Sequence, residues 1–417
     1  MTNRLFPQSG RSWDEVKVQM ETLRRDDLPW HHARIFKPAY YAGDDLVRVA
    51  NAAYDMYISD NALYGGTSYP SIGRYETEVV AMLLELLDAP EGAGGSVTAG
   101  GTESNMMAVK AARDWARVRR PGARDPEMLL PRSAHPSFDK AAHMFGVKPV
   151  RMAESPNFRA DVNAMEKAIN ENTIMLVGSA PPYPYGTTDP IDALSVLAAR
   201  HDLWLHVDSC IGGFILPFAR QLGYSIPAFE FSLPGVTSIS VDVHKFGYAN
   251  KGISVLLLRD KALEAYQRTT FDAWPSGLYS TPNITGSRSG GAIASAWAVM
   301  NYLGRDGYKE RVRAILAIRD RIIEGIRSVP GLEVWGEPHA YNFSFGSRRI
   351  DIDAVADGLA DRDWLVGRAL EPPSIQLMVN MGHKDIVDAF IADLGAAVRD
   401  VEAGRRKSRG EKAVYAI

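Results

Sequence analysis

The chain has 417 residues, long enough for two or three domains, and its 46% apolar and 23% charged content is ordinary for a globular protein. Its 47 Lys and Arg nearly balance 50 Asp and Glu, for a formal charge of −3, so no global field favours nucleic acid or an anionic membrane and a bound anion needs a local site. The one cysteine, Cys210, excludes an intrachain disulfide framework, and no run approaches the roughly 18 apolar residues of a membrane span. With no signal-like apolar core over residues 1–15, a cytoplasmic protein without a transmembrane segment is expected.

Residues 1–60 predict an N-terminal helical arm, with helices near 13–25 and 44–58. A loop at 61–71 follows, rich in glycine, hydroxyls and tyrosine (Tyr64, Tyr69), and its composition suits a functional loop or a plain connector equally. Apolar residues at helical spacing predict a helix over 76–87. Next comes Gly100-Gly101-Thr102-Glu103, feeding a helix over about 102–119. The unpaired N–H groups at such a helix start make a candidate phosphate cradle, although the same pattern also describes a well-capped helix.

From residue 127 to 259, short apolar runs alternate with helical segments. Strands are predicted at 128–130, 149–152, 173–177, 203–207, 237–241 and 253–258, and helices at 137–145, 162–170 and 190–201. This alternation predicts an α/β fold with a mostly parallel central sheet. Two long helical patterns, 290–303 and 308–328, lead into an α+β remainder with strands at 332–335, 342–345 and 375–379 and helices at 352–359 and 384–399. The expected organisation is an arm (1–60), a large α/β domain (61–304), a small α+β domain (305–401) and a charged, frayed tail (402–417).

The candidate chemistry sits at strand ends, where open α/β sheets place their sites. Lys245 follows the 237–241 strand within His244-Lys245-Phe246-Gly247, and partial desolvation there would lower its pKa and make an amine nucleophile toward a carbonyl. A solvated surface lysine is the alternative. Asp208 ends the 203–207 strand, where it either caps the next turn or holds a protonated ring nitrogen. His135, between a strand and a helix, either caps that helix or stacks on a flat cofactor. Cys210 reads as a small buried residue.

A Gly-Gly-Thr turn, His135, Asp208 and Lys245, in that chain order, resemble the fold-type-I pyridoxal-phosphate enzymes, in the branch of the group II decarboxylases and sphingosine-phosphate lyases. The resemblance covers about residues 55–400 and is most specific at His244-Lys245-Phe246-Gly247-Tyr248-Ala249-Asn250-Lys251-Gly252, with its second lysine six residues beyond the first. Gly101-Thr102-Glu103-Ser104, Asp208-Ser209-Cys210-Ile211-Gly212-Gly213 and Thr285-Gly286-Ser287-Arg288 also look like lyase motifs. The resemblance implies that Lys245 binds the aldehyde of pyridoxal 5'-phosphate, Asp208 pairs with the pyridine nitrogen and His135 stacks on the ring. It implies that Gly101, Thr102 and His244 hold the cofactor phosphate, helped by Ser287 from a second subunit of a homodimer. Lys251 and Tyr248, with Tyr64 and Tyr69 contributed from the neighbouring subunit's 61–71 loop, would contact a phosphorylated amine substrate.

The activity so implied is retro-aldol cleavage of a phosphorylated 2-amino-3-hydroxy compound, with Lys251 or a tyrosine as the base. Amino-acid decarboxylation on the same scaffold is the alternative, and a non-catalytic dimeric binding module is the third reading. The chain departs from the lyases at Tyr64, where they carry a histidine, and at Asn250, where they carry a proline.

Overall fold

A computed structural model describes residues 6, 7, 9–410 and 413. The centre is a seven-stranded sheet formed by β1 (Gly94–Thr98), β2 (Glu127–Pro131), β3 (Lys148–Met152), β4 (Thr173–Ser179), β5 (Trp204–Asp208), β6 (Ser238–Val241) and β7 (Ser254–Leu258). Their order is β1-β7-β6-β5-β4-β2-β3. β2 to β6 pair in parallel, whereas β7 runs antiparallel to both β6 and β1. β2, β4, β5, β6 and β7 are buried along their whole length, which is why β2, β4 and β7 carry near-continuous apolar runs, whereas β6 alternates Ser238 and Ser240 with Ile239 and Val241.

The flanking helices that position the site are α1 (Trp13–Leu23), α2 (Asp44–Tyr57), α3 (Pro70–Leu86), α4 (Gly101–Arg119) and α5 (Ser137–Phe145). α5 follows its predicted bounds and stops at Gly146, whose φ of 67° gives the left-handed turn that ends a helix. α3 begins six residues before its predicted start, at Pro70, whose fixed φ suits a first helical turn. α4 and α5 pack Met106, Val109, Phe138 and Ala141 on one face of the sheet with Trp204, while the opposite face joins the larger core.

β1 is a strand where the sequence reads only a glycine-rich turn. Its Gly-Gly-Ser-Val-Thr has weak strand propensity, and the five-residue register with β7 supplies the hydrogen bonds that hold it extended. A hairpin of Thr269–Phe271 and Tyr279–Thr281 is a second unpredicted element. The run Gly290–Ser328 is broken at Gly304 (φ 57°, ψ −175°), so the two predicted helices are separate pieces of one long element.

A four-stranded antiparallel sheet, built from Glu333–Val334, Asn342–Gly346, Pro373–Met378 and Gly367–Leu370 in that spatial order, follows with helices Ile352–Ala360 and Val387–Glu402. Beyond the last helix, residues 403–410 are tied down where composition predicts fraying. Arg405 pairs with Asp400 at 2.8 Å, Arg406 and Arg409 pair with Asp361, and the Arg409 N–H donates to Asp357. Residues 411, 412 and 414–417 of the predicted tail lie outside the described residues. Among the described residues no helix is long and apolar enough to cross a membrane.

Candidate active site

Successive loops at the carboxyl edge of the parallel strands enclose a cavity of about 300 Å³. The start of α4 contributes Gly100, Gly101 and Thr102, the turn before α5 contributes His135, β5 ends in Asp208, and the turn after β6 supplies Asp242, His244 and Lys245. Lys245, Asp208, His135, Gly101, Thr102 and His244, separated by up to 144 positions, thus share one cavity.

The lysine differs from expectation. Its Nζ lies 2.7 Å from Asp242 Oδ2, and its side chain is 21% exposed. Burial works against the ammonium, but the carboxylate of Asp242, with further contributions from Tyr40 and Cys210, outweighs it and raises the lysine pKa well above its ordinary value. Partial desolvation alone would have lowered it. The pairing is reciprocal: burial pushes the Asp242 carboxyl up, but Lys245 and His244 bring it below the ordinary aspartate value. Asp242 is the main site residue missed in the sequence. Its spacing of three from the lysine was the available signal, since one turn after the strand brings i and i+3 together.

The residues fit pyridoxal phosphate. At the anion end, a Cβ on Gly101 would lie 2.7 Å from both Asp242 carboxylate oxygens and 2.8 Å from Cys210 Sγ, so glycine keeps the floor open. The first N–H groups of the 19-residue α4 converge beside it, at the positive end of that helix. His244 adjoins this turn: its Nδ1 accepts the Ile253 N–H at 3.3 Å, and burial lowers its pKa. At the other end Asp208 is 7% exposed, its Oδ1 accepting the Cys210 N–H at 3.1 Å and its Oδ2 the Asn105 side chain at 3.0 Å. Asp242 Oδ1 is buried with no hydrogen-bond partner among the described residues. A helix start with free N–H groups, a buried carboxylate and an amine therefore line one cavity, and these are the groups that pyridoxal phosphate would require.

A second cavity of about 350 Å³ adjoins the first, sharing Tyr40 and His244 with it. Lys251 lies on its wall, its Nζ donating to the His244 carbonyl at 2.9 Å and standing 4.4 Å from the Tyr40 ring centroid. Lys251 stays open to solvent, and crowding by the atoms around its stem, reinforced by Lys245 and opposed by Asp242, brings its pKa down to about 8. Tyr248 gives this cavity a ring rather than a hydroxyl, because its OH is buried without a partner among the described residues. Asn250 is bound by Asn51 at 2.8 Å and Ser295 at 2.7 Å. Tyr40, to which the sequence assigns no role, is a wall shared with His244, and nothing in its local sequence separates it from Tyr41.

Ser287, Tyr64 and Tyr69 line neither cavity of their own chain. Ser287 Oγ accepts from Asn61 Nδ2 at 2.9 Å, Tyr64 is 51% exposed, and the Tyr69 N–H is bound to the Tyr64 carbonyl.

Doubly wound strands with a lysine, an aspartate and a helix N-terminus at their carboxyl edge define a pyridoxal-phosphate enzyme of fold type I. The model of the pyridoxal-dependent decarboxylase conserved domain matches residues 1–348. The chain belongs to the pyridoxal-dependent decarboxylase family. The sphingosine-1-phosphate lyase of Oryza sativa subsp. japonica is 41% identical over 98% of this chain and 76% of its own length. The L-aspartate decarboxylase of Thermococcus kodakarensis is 35% identical over 94% of this chain and 98% of its own length. Among solved structures, the sphingosine-1-phosphate lyase of Burkholderia pseudomallei superposes with a TM-score of 0.92 at 40% identity, covering 96% of this chain and 94% of that one.

Proposed function

We propose that this protein is a pyridoxal-phosphate-dependent carbon–carbon lyase. Its substrate is a phosphorylated 2-amino-3-hydroxy compound of the sphingosine 1-phosphate type, cleaved to a long-chain aldehyde and phosphoethanolamine. The observation that carries the reading is the second cation, Lys251, on a cavity that opens from the Lys245 site. An amino-acid decarboxylase needs no substrate-phosphate site, and a phosphorylated amine does. The identity to sphingosine-1-phosphate lyases supports the same reading.

Pyridoxal phosphate supplies an aldehyde for the substrate amine and a ring that takes up the electron pair of the breaking bond. Lys245 would hold that aldehyde through Nζ, and Asp208 would keep the ring nitrogen protonated. The N–H groups of Gly101 and Thr102, with His244, would hold the phosphate, and His135 would pack beside the ring. Lys251, as a cation, holds the substrate phosphate and thereby orients the bond to be broken.

The site is proposed to be completed in a homodimer, in which Ser287, Tyr64 and Tyr69 serve the partner's cavity. Their position outside their own cavities supports this, as does the exposed apolar side of α1 with Trp13, Met20 and Leu23. A fully active monomer by light scattering would remove that part of the reading. Cytoplasmic residence is proposed from the composition, and fractionation of the native host tests it.

The second reading, decarboxylation, rests on the 35% identity to an L-aspartate decarboxylase. Mass-spectrometric analysis of cofactor-loaded protein given sphingosine 1-phosphate and, separately, L-aspartate decides between them. Phosphoethanolamine with a long-chain aldehyde is the expected result, and carbon dioxide from aspartate alone would reverse the assignment.

A further inference from the structure

We infer that Asn105 and His206 are positioning residues, which orient the Asp208 carboxylate through one ordered chain of hydrogen bonds that continues through Ser137 to His135. The inference rests on reading the Lys245 cavity as the pyridoxal-phosphate site.

The order follows from groups that can only donate or only accept. Trp204 Nε1–H donates to Ser238 Oγ at 2.8 Å. The Ser238 hydroxyl in turn donates to His206 Nδ1 at 2.8 Å. Asp208 Oδ2 accepts from Asn105 Nδ2 at 3.0 Å, so the amide turns its NH₂ to the carboxylate and its Oδ1 to His206 Nε2, 3.2 Å away. That oxygen only accepts. His206 therefore carries a proton on Nε2, and because burial, partly opposed by Asp208, pushes its pKa down to about 4, the ring is neutral and Nδ1 accepts from Ser238.

The second amide hydrogen of Asn105 goes to Ser137 Oγ at 2.9 Å. The Ser137 backbone N–H reaches His135 Nδ1 at 3.2 Å and its hydroxyl reaches the same atom at 3.0 Å. Nδ1 is thus an acceptor. Burial lowers the His135 pKa, although Asp208 works against it, so the neutral ring carries its proton on Nε2. Ser240 Oγ, 3.3 Å from His206 Nε2 and 3.5 Å from Asp208 Oδ1, continues the same direction.

The fold explains why these side chains meet. Trp204, His206 and Asp208 alternate along β5 onto one face, and α4 lies on that face with Asn105 in the turn after its anion-binding start. Asn105, His206, Ser137 and Ser238 are at most 3% exposed, so water does not substitute for a lost partner. A carboxylate that must hold a ring proton at one angle is pinned at both oxygens, by the Cys210 N–H and by Asn105.

The test compares shape with donor order in two steps. In cofactor-free wild type, ¹⁵N-histidine NMR is expected to show both His135 and His206 protonated at Nε2. In absorbance titrations with pyridoxal phosphate, on variants matched for thermal stability, Asn105→Ala is expected to bind about 10- to 100-fold more weakly. Asn105→Asp keeps the shape but sets an acceptor against Asp208, and is expected to be at least as weak; a shape-only role would make it the milder change. His206→Gln, which still donates to Asn105, is expected to recover affinity lost in His206→Leu. A proton on His135 Nδ1, or tighter cofactor binding by Asn105→Asp than by Asn105→Ala, overturns the inference. A wild type that takes up no pyridoxal phosphate overturns the cofactor reading instead, and the NMR of that same sample still decides the proton order.

Discussion

Asp208 and Lys251 lie at the borders of one connected pair of cavities, and the chain supports them differently. Asp208 is anchored from below by strands and α4, both its oxygens taken by donors of its own chain. Lys251 keeps solvent access and leans on a backbone carbonyl and one aromatic ring, with Tyr248 on the same cavity, while Tyr64 and Tyr69 lie elsewhere in their own chain. Rigid burial suits a group that must meet the same cofactor atom in every turnover. A more open wall, with a lysine near its neutralisation point, suits a group that meets a substrate arriving from solvent. Cofactor binding should therefore respond to changes on the Asp208 side, and substrate binding to changes on the Lys251 side.

The largest effect falls where the two sides meet. Lys245→Ala is expected to lower turnover by at least about 10³-fold, because no other amine in the cavity replaces it; product analysis measures this, and the cofactor should become removable by dialysis. Asp242→Asn leaves a buried ammonium without its partner. It is expected to cost about 3 kcal/mol in denaturant unfolding at neutral pH. Since the folded carboxyl titrates below its ordinary 3.8, that stabilisation is present above this pH and fades as the pH falls through the lower folded value. A gap between wild type and variant that persists unchanged into acid would contradict the ion pair.

Lys251→Gln tests the open side and is expected to lower kcat/KM for the phosphorylated substrate about tenfold while leaving cofactor affinity intact. Lys251 carries its charge below a pKa of about 8, so wild-type kcat/KM should fall as the pH rises through that value. The variant should lose this limb, and an unchanged pH profile would remove Lys251 from phosphate binding. The smallest effect is assigned to Tyr248→Phe. Its hydroxyl is buried and unpartnered among the described residues, so its removal should leave turnover within about twofold and stability unchanged or raised by up to about 1 kcal/mol. A large loss of substrate affinity would show that the hydroxyl turns toward substrate.

What the sequence by itself determined is whatever depends on neighbours in the chain. Apolar or β-branched runs buried on both faces marked β2, β4, β5 and β6, and therefore the strand ends where Asp208 and Lys245 had to lie. The glycine pair Gly100-Gly101 marked the start of α4 and its free N–H groups for the same local reason. Only the tertiary structure decided what those groups touch. Gly94–Thr98 is extended because β7 pairs with it, against weak local propensity. Lys245 has a raised rather than lowered pKa because Asp242 turns back onto it. Asn105 reaches Asp208 across 103 positions and His206 across 101. Hydrogen bonds and charges act over a few ångströms, and only folding brings residues so distant in the chain within that range.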